Sequence, residues 1–329
     1  MKSGRSLQII VVLLSLILVC SCASTKRKKA QNKPIPNKFA ELKLEPSCKD
    51  DSVISKIKEE LSNKTSVLDL MLFYLEQLKE ETDIESPYLK KLERLFVCGL
   101  AKERVEGHFY GITIVLKKGD HPYGLFLNQV WSNGLGDVSP WVGKIFNPIG
   151  PEELAFYTEN FEKGNVPTYL GINCFQQIDA SLLNKASIIV LTWWMDLKDV
   201  SEEERLKGYD KKGGLFIARK AKSVDPKTPN KDVFQLNYRW KRLNNPFPLK
   251  YLIDEIVEIA DGLYLGKLLF ATDYLDQDYN PHLDKTKYKY ENFGYFLLTV
   301  MSDCSQRKHE KAPRGQAPWP VPVRPFSQE

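Results

Sequence analysis

Val233-Phe-Gln-Leu-Asn-Tyr-Arg-Trp-Lys-Arg242 decides the class of fold. Phe234, Leu236, Tyr238 and Trp240 alternate with Gln235, Asn237, Arg239 and Lys241. A period of two places one face of an extended strand in a core and the other in water. Downstream, the apolar runs on either side of Asp261-Gly262 join through the dipeptide most typical of a two-residue hairpin. Runs of the same kind occupy His108–Lys117, Tyr123–Trp131, Val142–Phe146, Thr168–Gln176, Ser187–Trp194, Leu215–Ala221, Glu255–Ile259, Leu263–Thr272 and Phe293–Val300. Lys118-Gly119-Asp120 and Lys212-Gly213-Gly214 read as turns. Strands do not alternate regularly with helices, which argues against a doubly wound parallel sheet. A sheet of about ten strands tends to curl or close, because closure removes unpaired edges. The expectation over residues 105–304 is therefore mainly β, an antiparallel β-barrel or strongly curved sheet.

Before it, over 48–104, the apolar period is helical. Val53, Ile54, Ile57 and Leu61 form one stripe; Val67, Leu68, Met71, Leu72, Leu75 and Leu78 form a second, opened by Thr65 or Ser66. A third helix has Ser86 as cap, Pro87 at its first position and Gly99 as its stop. These three helices are expected to cover one end of the barrel. Pro151–Tyr157 and Ser201–Leu206 read as short helical insertions, the second with a capping box from Ser201 to Glu204. Residues 305–329, with Pro313, Pro318, Pro320, Pro322 and Pro325, read as an extended mobile tail.

Glycine recurs two residues from an aromatic at strand starts, in Gly107-His-Phe109-Tyr-Gly111, Trp141-Val-Gly143, Tyr169-Leu-Gly171 and Tyr264-Leu-Gly266. Glycine in a strand marks a bend or a close backbone approach, and a neighbouring ring can cover the gap. In these elements the stretch from Gly107 to Val300 resembles the lipocalin/calycin barrels, with Phe109 and Tyr264 where those carry tryptophan. The resemblance implies a barrel with a lumen for a small apolar or amphipathic ligand. Local sheet packing without shared ancestry explains the same pattern.

The beginning of the chain indicates where it works. Lys2 and Arg5 precede an apolar run from Ile9 to Val19, about half the roughly 20 residues that a bilayer core requires. Val19-Cys20-Ser21-Cys22 follows and resembles the lipobox of bacterial lipoproteins. That resemblance implies a signal peptide over 1–21, acylation of Cys22 and, with Ala23 next, the outer membrane of a diderm bacterium. An ordinary cleaved signal peptide with incidental cysteines is the competing reading. Residues 22–47 read as a basic, proline-containing tether reaching some 25–30 Å. Lys26, Arg27, Lys28, Lys29, Lys33 and Lys38 all precede the first acid, Glu41. The excess of 47 basic over 42 acidic side chains thus belongs to the arm and leader, which argues against a nucleic-acid face and suits anionic headgroups. Besides the leader pair, Cys48, Cys98, Cys174 and Cys304 remain. None forms a CxxC pair or lies at metal-ligand spacing from a histidine, so neither metal nor cofactor is expected. Cys48 and Cys98 flank the helices and read equally as a disulfide or as free buried thiols.

No hydrolase elbow, zinc-protease pair or phosphate loop occurs. The leading expectation is a lipid-anchored envelope protein, not an enzyme. It would hold a small apolar ligand among His108, Trp131, Trp141, Trp193, Tyr238, Trp240 and Tyr264. One alternative is an assembly lipoprotein with a filled barrel; another is a hydrolase using His108 and a nearby carboxylate. Glu255 and Glu258, three apart, should face opposite sides of their strand on a solvated edge. Asp273, Asp276, Asp278 and Asp284 form an acidic loop that reads as solvated and lacks EF-hand spacing for calcium.

Overall fold

The computed structural model describes residues 39–80, 86–116, 140–162, 166–176 and 195–300. The expected strands Tyr123–Trp131 and Ser187–Trp194, the expected acylation site Cys22, the expected ligand residues Trp131 and Trp193, and the proline-rich tail lie outside these residues. The strands are β1 (Gly107–Leu116), β2 (Trp141–Pro148), β3 (Tyr169–Phe175), β4 (Lys198–Asp199), β5 (Lys211–Lys222), β6 (Asp232–Asn237), β7 (Leu252–Ala260), β8 (Leu263–Ala271) and β9 (Tyr290–Val300). All pair antiparallel. Their order is β3-β2-β1-β9-β8-β7-β6-β5, and β3 also pairs with β5, so eight strands close into an up-and-down barrel. β4, a two-residue strand with no sequence signal of its own, stays outside and pairs with the start of β5. The Asp261-Gly262 hairpin forms as expected, with Gly262 at φ +70°.

The glycine–aromatic pattern works by cross-strand aromatic cover at three positions. The rings that cover the glycines come from across the sheet. A Cβ on Gly171 would lie 1.9 Å from the Phe216 ring, its register partner, and one on Gly266 would lie 2.2 Å from the ring of its partner Phe296. A Cβ on Gly111 would lie 2.4 Å from Trp141. Each glycine lets a ring lie flat against the inner wall, so aromatics from opposite strands fill the lumen. Phe109, Phe146, Phe216 and Phe234 meet there edge to face.

Two bulges re-aim side chains. At β2 the register steps from Trp141↔Phe175 to Gly143↔Cys174, leaving Val142 extra, and both Trp141 and Lys144 then face the lumen. On a regular strand residues three apart would face opposite ways. At β5 Gly214, with φ +66°, is the extra residue between Ile172↔Leu215 and Asn173↔Gly213. Lys212-Gly213-Gly214 is thus a bulge within a strand and not a turn.

Strand β6 stops five residues before the expected Arg242. The Asn237 side chain accepts the Arg239 backbone N–H at 2.9 Å, a local turn that competes with the ladder. Tyr238 still faces the lumen, but Trp240 leaves it for an outer cluster with Leu154 and Ile217. The expected wet face of β6 is also partly covered. Asn237 and Arg239 are buried, and the Arg239 guanidinium lies 4.0 Å from the Tyr288 ring centre.

Helices α1 (Ser52–Ser62), α2 (Val67–Glu80) and α3 (Pro87–Cys98) pack against the side of the barrel, not its end. Asp51, Ser66 and Ser86 cap them. The outward positions Val257, Ile259, Leu263, Leu265 and Leu297 are apolar, so these strands need cover on both faces. Leu92, Leu95 and Phe96 of α3 are fully buried there, each stabilising the layer by roughly 1.5–3 kcal/mol. Cys48 and Cys98 form a disulfide across this layer, with Cα atoms 5.8 Å apart. Two further short helices match expectation: α4 (Pro151–Tyr157), and α5 (Glu202–Arg205) with its complete capping box.

Candidate functional site

A lysine among aromatic rings is the least expected feature of the lumen. Lys144 of β2, Asn173 of β3, Tyr238 after β6 and Asp254 of β7 converge in one half of the barrel, beneath Leu249. The Lys144 amine donates to Asn173 Oδ1 at 2.6 Å, to the Tyr238 hydroxyl at 2.6 Å and to Asp254 Oδ2 at 3.0 Å. It also lies 5.2 to 5.3 Å from the ring centres of Trp141, Phe216, Tyr238 and Phe296. Asn173 Oδ1 further accepts Trp141 Nε1–H at 3.1 Å and the Tyr238 O–H at 3.3 Å. The Asn173 amide nitrogen donates to the carbonyl of bulged Gly214 at 2.9 Å. Asp254 Oδ1 is buried without a hydrogen-bond partner.

Burial dominates the electrostatics. It pushes the Lys144 amine below its ordinary range and the Asp254 carboxyl above its own, and their mutual attraction opposes both shifts. The Tyr238 hydroxyl is raised by burial and then by Asp254. The cavity that these groups line with Thr113, Leu249 and Leu268 has about 20 Å³ for a water-sized molecule. That is room for one water. Small-ligand sites run to several hundred Å³.

Of the expected site residues, Trp141, Tyr238 and Tyr264 reach the lumen and Trp240 does not. His108 lies on the outer wall, against the rings of Tyr110 and Tyr209 at 4.8 and 5.2 Å. Neither of its ring nitrogens has a hydrogen-bond partner, and burial with nearby Lys207 holds its pKa at about 4. A hydrolase built on His108 and a carboxylate therefore has no assembled pair among the described residues. Sequence reading passed over Lys144 and Asn173, since a lysine in an amphipathic strand normally points to water. The signal was present in the Val-Gly step before Lys144, where a bulge inverts facing.

Asp254 and Glu258 share the inner face of β7 and Glu255 the outer, so the expected parity of Glu255 and Glu258 holds. The expected solvated edge does not: all three carboxylates are buried, Asp254 and Glu258 on the inner face and Glu255 beneath the loop after β5. Glu255 accepts Val224 N–H at 2.6 Å and Ser223 O–H at 2.7 Å, while neighbouring Asp225 pairs with Lys267 at 2.7 Å. Burial, aided by the Asp225 charge, raises Glu255 from its ordinary 4.5 to about 7 despite those donors. A carboxyl that binds its proton more tightly when folded stabilises the fold fully below pH 4.5 and loses that contribution as pH rises towards 7. Because buried His108 contributes in the opposite sense over much of this window, the test is a difference: in urea unfolding the wild type should lose about 3 kcal/mol relative to Glu255→Gln between pH 4.5 and 7. Glu255→Gln keeps an oxygen for the Val224 N–H and turns its NH2 to donate to Ser223 Oγ; a constant difference between the two proteins across the window would assign the pH dependence elsewhere.

Outside the wall, a cleft of about 410 Å³ lies between Ser223–Pro229 and Asp284–Glu291, lined by charges of both signs. In the acidic loop Asp273 pairs with Lys289, Asp278 with Lys241, and Asp284 caps a short 3-10 turn. No three potential metal ligands come together among the described residues.

No family model matches the chain, and no curated protein or solved structure is significantly similar to it. The closed eight-strand meander is compatible with a lipocalin-like barrel. Of the glycines that suggested that family, Gly111, Gly171 and Gly266 are accounted for by ring packing and Gly143 by the close approach of the Phe109 carbonyl.

Proposed function

We propose that this is an exported, lipid-anchored envelope protein whose barrel is a solid binding platform for assembly and not a carrier. The packing of the lumen carries the reading: among the described residues, the cavity between the aromatics and the Lys144 network has about 20 Å³, too little for an acyl chain. Phe156, Phe161 and Val166, exposed on the connection between β2 and β3, leave apolar surface for a protein partner. The Val19-Cys20-Ser21-Cys22 tetrad supports acylation at Cys22 and an outer-membrane location, with the basic arm lying against anionic headgroups. The Cys48–Cys98 disulfide supports a compartment outside the reducing cytosol. A form lacking residues 1–22, titrated with a fluorescent fatty-acyl probe, should show no saturable tryptophan quenching. Saturable quenching at one probe per chain would restore the carrier reading. Mass spectrometry of the detergent-extracted chain should find diacylated Cys22 at its N-terminus, and a retained residue 1 would remove the anchor.

A further inference from the structure

The lumen network holds the parts of an acyl-transfer reaction between two of its own side chains. Lys144 and Asn173 stand directly opposite each other on β2 and β3, with the amine 2.6 Å from the amide oxygen. We propose that Lys144 and Asn173 join in an intramolecular isopeptide bond, with Asp254 as the catalytic proton carrier. The inference is independent of the anchor and of any partner.

Each group has a place in the step. An amine attacks an amide only when unprotonated, and an amide carbonyl yields only when its oxygen is stabilised as charge develops. Asp254 Oδ2, 3.0 Å from the amine, takes its proton. Burial favours this transfer, since it opposes the charge on both partners. Trp141 N–H already points at Asn173 Oδ1 at 3.1 Å, where the negative charge of a tetrahedral intermediate would form, and the Tyr238 hydroxyl, 3.0 Å from Asp254 Oδ2 and 3.3 Å from Asn173 Oδ1, can turn its one proton from the first to the second. The Lys144 Nζ–Asn173 Cγ bond forms and the Cγ–Nδ2 bond breaks. A proton from Nζ passes through Asp254 to the departing nitrogen, which leaves as ammonia. No oxidant or cofactor enters the balance. The adjacent cavity, sized for one water, also fits one ammonia. Phe216 and Phe296 flank the amine and screen it from bulk water. Fixing both reactants in a packed wall supplies the proximity that makes such reactions fast.

Asp254 is a poorer acceptor for the amine. The amine lies closer to Asn173 Oδ1, at 2.6 Å against 3.0 Å, the Trp141 N–H donates to that oxygen, and among the described residues the cavity is lined by no second carboxyl to carry the proton.

The full-length protein, extracted from producing cells and digested under denaturing conditions, should yield a branched peptide joining Lys144 to Asn173. Its mass should be that of the two linear peptides less one ammonia. Lys144→Arg and Asp254→Asn should yield only linear peptides. Because Asp254→Asn is at risk of misfolding, the wild-type map is decisive by itself. Linear peptides of full mass in the wild type would overturn the proposal. So would ammonia loss confined to a succinimide at Asn173, or a Lys144–Asp254 link marked by loss of water. A branched peptide retained in Asp254→Asn would overturn the role of Asp254.

Discussion

Replacing Asp254 with alanine is expected to cost about 3–5 kcal/mol of stability, the usual consequence of stranding a buried partner. Lys144 is 3 % exposed and, among the described residues, Asp254 is the carboxylate within salt-bridge distance, so the variant leaves an amine in a ring of aromatics with the neutral acceptors Asn173 and Tyr238. The double variant Lys144→Met/Asp254→Leu removes both ionisable groups while retaining apolar bulk. Trp141 and Tyr238 still donate to Asn173 in it. It should therefore be more stable than Asp254→Ala by most of that loss. Urea midpoints at equal slope measure the difference. If single and double variants are equally unstable, lost packing rather than an unpaired group sets the cost, and the network would be no more than a space filler.

Removing the disulfide comes next in size. Cys48 and Cys98 are 50 residues apart and enclose all three helices of the outer layer. On the chain-entropy argument, opening a loop of that length releases about 4 kcal/mol to the unfolded state. Cys48→Ala/Cys98→Ala should show this loss in denaturant unfolding, and reduction of the wild type should reproduce it. The effect should be felt first in the helical layer. That layer keeps a second attachment, because Lys43 N–H donates to the Ile259 carbonyl and Leu100 pairs with Glu258 of β7. Amide exchange in α1 to α3 should therefore speed up before exchange in β7 and β8. Unchanged midpoints would mean that the reduced unfolded chain holds residual structure in this segment.

Much of the architecture was legible without coordinates because it rests on local periodicity. The Asp261-Gly262 turn, the caps at Ser86 and Ser201 and the alternation around Phe234 are set by residues within a few positions of one another. The candidate site was not. Its wall residues Trp141, Tyr238 and Tyr264 stood out as aromatics, but Lys144 and Asn173 read as ordinary strand polar residues, and Trp240 read as part of a face that it leaves.

By itself the sequence determined the strand and helix periods, the hairpin and the caps. Tertiary structure alone decided which ring covers which glycine, that Cys48 meets Cys98, and that Lys144 turns inward to Asn173 and Asp254. The reason is one of range: periodicity is a property of neighbours along the chain. The facing of a bulged residue and the dielectric around a lysine depend on strands more than a hundred residues apart coming together around one lumen.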